Sequence, residues 1–341
     1  MKISAVIPTR NRPAYIQPLL DNIALQTYPV AEIIIVDASD DLHYKDDIAE
    51  KFSAVPLRWI ASEASVCIQR NLGIAQATSP WIFLCDDDMR FPKDYVETLV
   101  NTISQHPECA AASGLFMQLE NDTWVYRYPF KNFRGLLWAY VFRLSVWGEV
   151  KGMNVSALVR PAYARLCKFY ECLGNSVSVG GWPVITNFDT PFFVTKTYSL
   201  GSSLIKKEML QASPFDEVLD PSGIGDNYGV ALAFPNDAAI VVTHRTQTYN
   251  AKAPENRLEY ALAYYRRILA LHYFLTTNAR FKKSNRRWLA WSLVGLLMSF
   301  AVKGQLRLAY ANLKALILIA RNRNPYVEGA AKNKKVVRPS L

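Results

Sequence analysis

Three consecutive carboxylates, Asp86-Asp87-Asp88, close the apolar run Trp81-Ile82-Phe83-Leu84-Cys85. Adjacent carboxylates repel one another and are costly together unless water or a cation neutralises them. Oxygen ligands suit hard divalent ions such as Mg²⁺ or Mn²⁺. Side chains of an extended segment point alternately to opposite sides, so the spacing predicts that Asp86 and Asp88 share one ion while Asp87 faces elsewhere. A solvated acidic turn is the other reading of such a triplet. Its place at the end of a strongly apolar strand favours the metal pair.

The surrounding elements would present these carboxylates in a predictable way. Ile3 to Ile7 and Glu32 to Val36 are short apolar runs suited to strands buried on both faces, the second closing on Asp37. Between them Tyr15 to Gln26 has helical spacing at Ile16, Leu19, Leu20 and Ile23. Leu57 to Ile60 and Trp81 to Leu84 read as two more strands, with Gln69 to Ala77 as a helix between them. Strand–helix–strand repetition predicts an α/β sheet whose ligand crevice lies beyond the carboxyl ends of its strands. No glycine precedes Gly73, which excludes a dinucleotide-binding turn or a P-loop on the first strand.

Charge divides the chain. Lys and Arg outnumber Asp and Glu by 39 to 29 overall, a net of +10. Residues 1–250 nevertheless carry 21 basic and 26 acidic side chains, whereas residues 251–341 carry 18 and 3. A mildly acidic part is therefore followed by one of net charge +15. Half the residues are hydrophobic, which excludes global disorder. The five cysteines are scattered, with no C-x-x-C pair, so a reducing compartment is expected and a zinc knuckle is not. Met1-Lys2 leads directly into the first strand, and no signal peptide is expected.

Four segments in register resemble the donor-binding half of the family 2 glycosyltransferases. They are Ala5-Val6-Ile7-Pro8-Thr9-Arg10-Asn11-Arg12, Ile34-Ile35-Val36-Asp37-Ala38-Ser39, Arg70-Asn71-Leu72-Gly73-Ile74-Ala75, and Phe83 to Asp88 followed by Pro92. The resemblance covers roughly residues 1–250 and implies a GT-A fold with a mixed central sheet, a nucleotide-sugar donor, Mn²⁺ or Mg²⁺, and transfer with inversion. By it, Pro8, Thr9 and Arg10 form a loop around the nucleotide and Asp37 binds base or ribose. Arg70 and Asn71 sit near base and diphosphate, Asp86 and Asp87 face the donor, and Asp86 and Asp88 form the metal-binding D-x-D pair. Taken singly, Arg10 and Arg70 are also ordinary surface arginines, and Asp37 is also a helix cap.

Farther along, Gly201-Ser202-Ser203-Leu204-Ile205-Lys206-Lys207 resembles the family's G-x-N-x-x-x-R segment, with Ser203 in place of Asn. Relatives usually carry Glu-Asp where this chain has Asp226-Asn227, the second carboxylate acting as general base. An amide cannot accept the acceptor's proton near neutral pH. The resemblance therefore implies Asp226 as base through a one-residue shift, with Asn227 orienting the acceptor. A helix cap at Asp226 and an inactive homologue that only binds nucleotide sugar or glycan are the competing readings. His244 ends the run Ile240 to Thr243, where the family often presents an imidazole to metal or diphosphate; a lone histidine is otherwise more often structural. Leu136 to Trp147 reads equally as an apolar helix against a membrane or against the core, and 174–190 as an irregular loop.

Beyond residue 250, a helix is expected over Asn256 to Leu275, then the uncharged fifteen residues Trp288 to Val302, then Leu306 to Ala320. Fifteen residues fall short of the roughly 20 that span a bilayer. Flanking tryptophans and a basic cluster suit a helix lying in the interface of an anionic membrane; packing on the preceding domain is the alternative. No nucleic-acid motif occurs, and none is expected as partner. The expectation is a GT-A domain over 1–250, divided at 100 into donor and acceptor halves. A helical membrane-associating extension over 251–320 and a disordered tail over 321–341 would follow. Common uses of the family imply a glycan or lipid-linked acceptor at the cytoplasmic face of a bacterial inner membrane.

Overall fold

The structure is a computed structural model that describes residues 1–235, 237–250, 255 and 257–341. In chain order the first elements are β1 (Ile3–Thr9), α1 (Pro13–Ala24), β2 (Glu32–Asp37), α2 (Tyr44–Lys51), β3 (Leu57–Ala61) and α3 (Val66–Gln76). They continue with β4 (Trp81–Cys85), β5 (Met89–Arg90), α4 (Tyr95–Gln105), β6 (Ala111–Glu120) and β7 (Thr123–Val125). Next come α5 (Phe133–Val141), β8 (Val146–Trp147), α6 (Arg160–Leu173), β9 (Ser176–Val177) and β10 (Pro183–Ile185). The chain then forms β11 (Phe192–Thr195), β12 (Ser202–Lys206), α7 (Lys207–Ala212), α8 (Asp226–Ala233) and β13 (Ile240–Asn250). Four helices end it: α9 (Tyr260–Thr277), α10 (Lys283–Val302), α11 (Leu306–Ala320) and α12 (Pro325–Ala331).

Two compact units result. The first comprises Met1–Tyr126, Thr190–Glu217 and Pro221–Arg257. Its sheet runs β11-β13-β6-β12-β4-β1-β2-β3. β4, β1, β2 and β3 are parallel, and β12 enters antiparallel between β4 and β6. The sheet is therefore mixed, as expected. All of β1 and β2 is buried, which is why their sequences are nearly continuous apolar runs. Ile16, Leu19, Leu20 and Ile23 bury the inner stripe of α1. Gly73 lets α3 lie close on the sheet, where a Cβ would collide with Val6 and press on Val36.

The second unit comprises Arg127–Asp189, Val218–Asp220 and Leu258–Leu341. This corrects the expected division, which assigned 101–250 wholly to the catalytic domain. The physical reason is packing: α5 and α6 share a core of Leu136, Ala139, Leu166 and Tyr170. The Phe142 ring then stacks on Trp291 at 4.9 Å, and Ser292 Oγ donates to the Phe142 carbonyl at 2.6 Å. The aromatic stretch from Leu136 to Trp147 thus builds a core. Residues 174–190, expected as an irregular loop, contribute β9 and β10 to a three-stranded sheet with β8.

The expected disordered tail is also corrected. Tyr326 on α12 is fully buried, and its hydroxyl donates to Asp220 at 3.0 Å. Arg266 pairs with the same carboxylate at 3.2 Å and donates through Nε to the Pro339 carbonyl. Asn324 Nδ2 reaches the Leu269 carbonyl at 2.8 Å and His272 Nδ1 at 3.0 Å. One aromatic and one amide, hidden in a polar, basic stretch, anchor the segment.

His272 is itself buried, and desolvation, reinforced by Arg286, pushes its imidazole down to about 4. The unfolded chain therefore binds a proton below its ordinary value of 6.5 that the folded chain does not. Stability then falls as pH drops from about 6.5 towards 4, by up to about 3 kcal/mol. Urea unfolding of wild type and His272→Gln at pH 7 and pH ~4.5 checks this: the loss between the two pH values should be smaller in the variant.

Candidate active site

The carboxyl ends of β1, β2 and β4 bring Thr9, Asp37 and Asp86 to one edge of the first unit's sheet. The acidic triplet is not extended there. The Asp86 amide donates to the Gly201 carbonyl at 2.8 Å, and the Met89 amide closes a turn on the Asp86 carbonyl at 3.3 Å. The expected alternation therefore fails, because a turn sends neighbouring side chains to separate partners. Asp87 is buried and accepts from Thr9 Oγ1 at 2.8 Å and Arg12 Nη1 at 2.7 Å. Burial raises its carboxyl to about 6, against the opposing pull of Arg12 and Thr9. Asp88 pairs with Arg257 at 3.0 Å and lies 3.8 Å from Arg12.

Asp86 turns instead to Arg70. That guanidinium, with only 4% of its side chain exposed, reaches Asp86 at 2.5 Å through one nitrogen and pairs with Asp226 through the other. It lies 5.0 Å from the centre of the Phe215 ring. Desolvation would lower its pKa, but the two carboxylates outweigh that and raise it. Asp226 opens α8, where a negative charge suits the exposed amides of a helix start. Gly223, at φ +58°, accepts the Asp226 amide at 2.9 Å. A Cβ there would come within 2.9 Å of the Asp226 carboxylate. Gly201 is equally constrained, since a Cβ would overlap the Asp86 carboxylate.

Other expected site residues are placed differently. Pro8 lies inside β1, opposite Val36. Arg10 pairs loosely with Asp40 at 3.6 Å near the surface; it is Arg12 that turns inward to the carboxylates. Asn71 grips the Phe215 backbone, donating to its carbonyl and accepting from its amide, both at 2.9 Å. This clamp seats Phe215 beside Arg70. Asp37 is buried and accepts from the Ser39 amide, the Tyr44 hydroxyl and the Trp59 indole. The Asn227 amide donates to Asp226 Oδ1 at 2.5 Å, while its side-chain oxygen is buried with no hydrogen-bond partner among the described residues.

His244, expected as a metal ligand, lies on β13, the strand whose far end pairs with β5 directly after the triplet, Tyr249 opposite Arg90 and Asn250 opposite Met89. Its ring packs edge-on to Phe193 at 5.8 Å and Tyr126 at 6.0 Å. No three His, Cys, Asp or Glu side chains converge into a metal site among the described residues. The D-x-D pair does not fit a shared ion in this arrangement, because Asp86 and Asp88 are held by different arginines. Asp86 alone, with 29% of its side chain exposed, fits a cation of the kind that takes one carboxylate and completes its shell with substrate phosphates and water.

Two arginines that pair with the carboxylate triplet escaped the sequence. Arg12 is the second of two arginines in Thr9-Arg10-Asn11-Arg12, and the left-handed backbone at Asn11, φ +54°, directs the chain there. Arg257 lies beyond the charge boundary at 250 and carried no motif.

A mixed sheet with its ligand edge at the carboxyl ends of parallel strands, closed by a carboxylate triplet, defines a GT-A fold. The solved structure of Staphylococcus aureus TarS residues 1–349 in complex with UDP-GlcNAc shares it, with a TM-score of 0.53 and 16% identity, over 98% of this chain and 93% of that one. The mannosyltransferase PcManGT from Pyrobaculum calidifontis, in complex with GDP-Man and Mn²⁺, has a TM-score of 0.50 at 16% identity, over 97% and 86%. Residues 4–159 match the model of glycosyl transferase family 2. Glycosyltransferase GlyA of Streptococcus pneumoniae serotype 4 is 30% identical over 129 residues, which is 37% of this chain and 18% of that protein. The glucosyl-dolichyl phosphate glucuronosyltransferase of Haloferax volcanii is 27% identical over 134 residues, 38% and 41% of the two. The chain thus spans less than half the length of either curated relative.

Because Arg70 is the buried counter-charge of two carboxylates, removing it should cost stability. Arg70→Met is expected to lose about 3 kcal/mol, and Arg70→Met/Asp226→Asn to regain part of that. Denaturant unfolding of both variants measures the difference; equal stability of the two would refute the coupling.

Proposed function

We propose that this chain is an inverting glycosyltransferase that moves a sugar from a nucleotide-sugar donor to a hydroxyl of a glycan or lipid-linked acceptor. The setting would be bacterial cell-surface polysaccharide synthesis at the cytoplasmic face of the inner membrane. The observation that carries the reading is the Arg70 bridge. It holds Asp226, the carboxylate available as base, next to Asp86, the carboxylate at the donor edge.

In this reading Thr9 and Asp37, at the ends of β1 and β2, border the nucleotide, with Arg10 at the rim. Asp226 takes the proton of the acceptor hydroxyl as that oxygen attacks the anomeric carbon from the face opposite the leaving diphosphate. Asn227 offers the acceptor a buried amide oxygen. Arg70 has two tasks. It orients Asp226, and it presents positive charge to the diphosphate as negative charge develops there. The two tasks are linked: a diphosphate competes with Asp226 for the guanidinium and so frees the base when donor is bound.

Charge supports a divalent ion arriving with the donor. Asp86, Asp87, Asp88 and Asp226 face Arg12, Arg70 and Arg257, which leaves the ionised cluster one negative charge in excess. A diphosphate adds more. Mg²⁺ or Mn²⁺ held by Asp86 would supply the missing positive charge on the leaving group. The Mn²⁺ present with GDP-Man in PcManGT is in keeping with this.

A binder without catalysis is the second reading, favoured by one observation: a carboxylate paired with a buried arginine is a weak base. A panel of nucleotide sugars, screened by thermal shift with and without Mn²⁺, should yield one that raises Tm. With that donor, Asp226→Asn should keep the shift while release of nucleoside diphosphate falls by about 10²–10⁴-fold. Undiminished turnover in the variant would remove Asp226 as base. A shift without turnover in wild type would establish the binder.

A further inference from the structure

The last helices of the second unit present an apolar surface that its core does not use. On α11, Leu308, Ala311, Ala315 and Ile319 face inward and are buried. At 100° per residue, Leu306, Tyr310, Leu313 and Ile317 form a second apolar stripe on the opposite side, and all four are exposed. Arg307 and Lys314 lie on one flank between the stripes. The turn into α11 carries the stripe onward, with Val302 90% and Leu306 74% exposed and Met298 one turn before. Gly304, at φ +68°, makes that turn. Asn312 fixes the pair internally, donating to the Leu293 carbonyl at 2.8 Å and accepting from the Tyr264 hydroxyl at 2.6 Å. The outer stripe is therefore a property of a fixed hairpin.

Charge identifies what would cover it. Between residues 260 and 327 the sequence carries twelve Lys or Arg and no Asp or Glu. A second copy would bring the same positive face against this one, and like charges across an interface are repulsive. A surface that is both apolar and anionic suits it, with leucine, isoleucine and tyrosine entering the acyl boundary while Lys303, Arg307 and Arg321 meet headgroups. Among the described residues no helix is long and apolar enough to cross a membrane, so the mode is interfacial.

We propose that the α10–α11 hairpin is a membrane-docking element. The outer stripe of α11 and the tip at Val302 and Leu306 lie in the interface of a bilayer carrying anionic lipid. This names the element behind the membrane partner in the function proposed above. Its test needs neither donor nor acceptor, so either idea can fail alone.

The full chain is floated with vesicles of phosphatidylcholine alone, or with about 30% phosphatidylglycerol, at ~0.05 and ~0.5 M salt. Binding is expected to the anionic vesicles, at least tenfold above neutral ones at low salt, and to weaken at high salt. Val302→Glu/Leu306→Glu, both at exposed positions, should lose at least tenfold while keeping the wild-type Tm. Lys303→Glu/Arg307→Glu should lose about fivefold per residue changed. Absence of flotation, equal binding to both lipids, or unaltered binding of both variants would overturn the proposal. So would a dimer, seen by light scattering, that Val302→Glu/Leu306→Glu dissolves, because it would give the face to a second copy.

Discussion

A single buried guanidinium organises the first unit. Arg70 sits under the Phe215 ring with a carboxylate on each side, one ending β4 and the other opening α8. Two carboxylates brought from sequence positions 140 residues apart would repel in a low-dielectric site. The positive charge between them turns that repulsion into attraction, and it does so only if α3 holds it in place. Gly73 lets that helix lie close on the sheet, and Asn71 fixes the Phe215 backbone next to the guanidinium. Asn71 and Gly73, close to Arg70 in the sequence, thus serve the placing of one cation.

The acidic triplet follows the same logic at shorter range. Had Asp86 to Asp88 stayed extended, two carboxylates would have shared one side and their mutual repulsion. The turn closed by the Met89 amide distributes them, Asp86 to Arg70, Asp87 to Arg12 and Thr9, and Asp88 to Arg257. Asp87 is desolvated by burial, which is why its carboxyl rises to about 6 although an arginine touches it. Asp86 is the one left with water access. Burial, more than sequence order, separates the structural carboxylates from the one available to a ligand.

The sheet of the first unit was legible because its strands are short, apolar and bounded by Pro8, Asp37 and the acidic triplet. Its period needs no tertiary information. Placement of Thr9, Asp86 and Asp226 was legible too, through the order of motifs along the chain. What failed depended on local backbone or on distant partners. Alternation within Asp86-Asp87-Asp88 assumed a strand where a turn forms. Arg10 was read from the resemblance as part of the nucleotide loop, whereas the pairing of Arg12 with Asp87, after a left-handed residue at Asn11, has no signature in composition. His244 closes an apolar run as a ligand would, and the pairing of its strand with β5 directly after the triplet is not visible in that run. Strand order between non-sequential strands is set by packing of the whole sheet, and no local pattern encodes it.

The second unit joins stretches that lie on both sides of the charge boundary near residue 250. A boundary drawn where charge changes sign assumes that each part of the sequence folds with its neighbours, yet 127–189 folds with 258–341. The link is carried by few residues: Phe142 against Trp291, Ser292 on the Phe142 carbonyl, and Gly295, where any side chain would strike the Phe142 ring. A helix such as α11, apolar on two opposite faces, looks from sequence like a core helix, because a mean over its length cannot tell one wide stripe from two narrow ones. Only its packing separates them. Ala311 and Ala315, small enough for close helix approach, face inward, while the larger Leu306, Tyr310 and Ile317 remain outside. Leu308 and Ile319 share that inner face, so the large apolar side chains of α11 are divided between the core of the unit and its outer stripe.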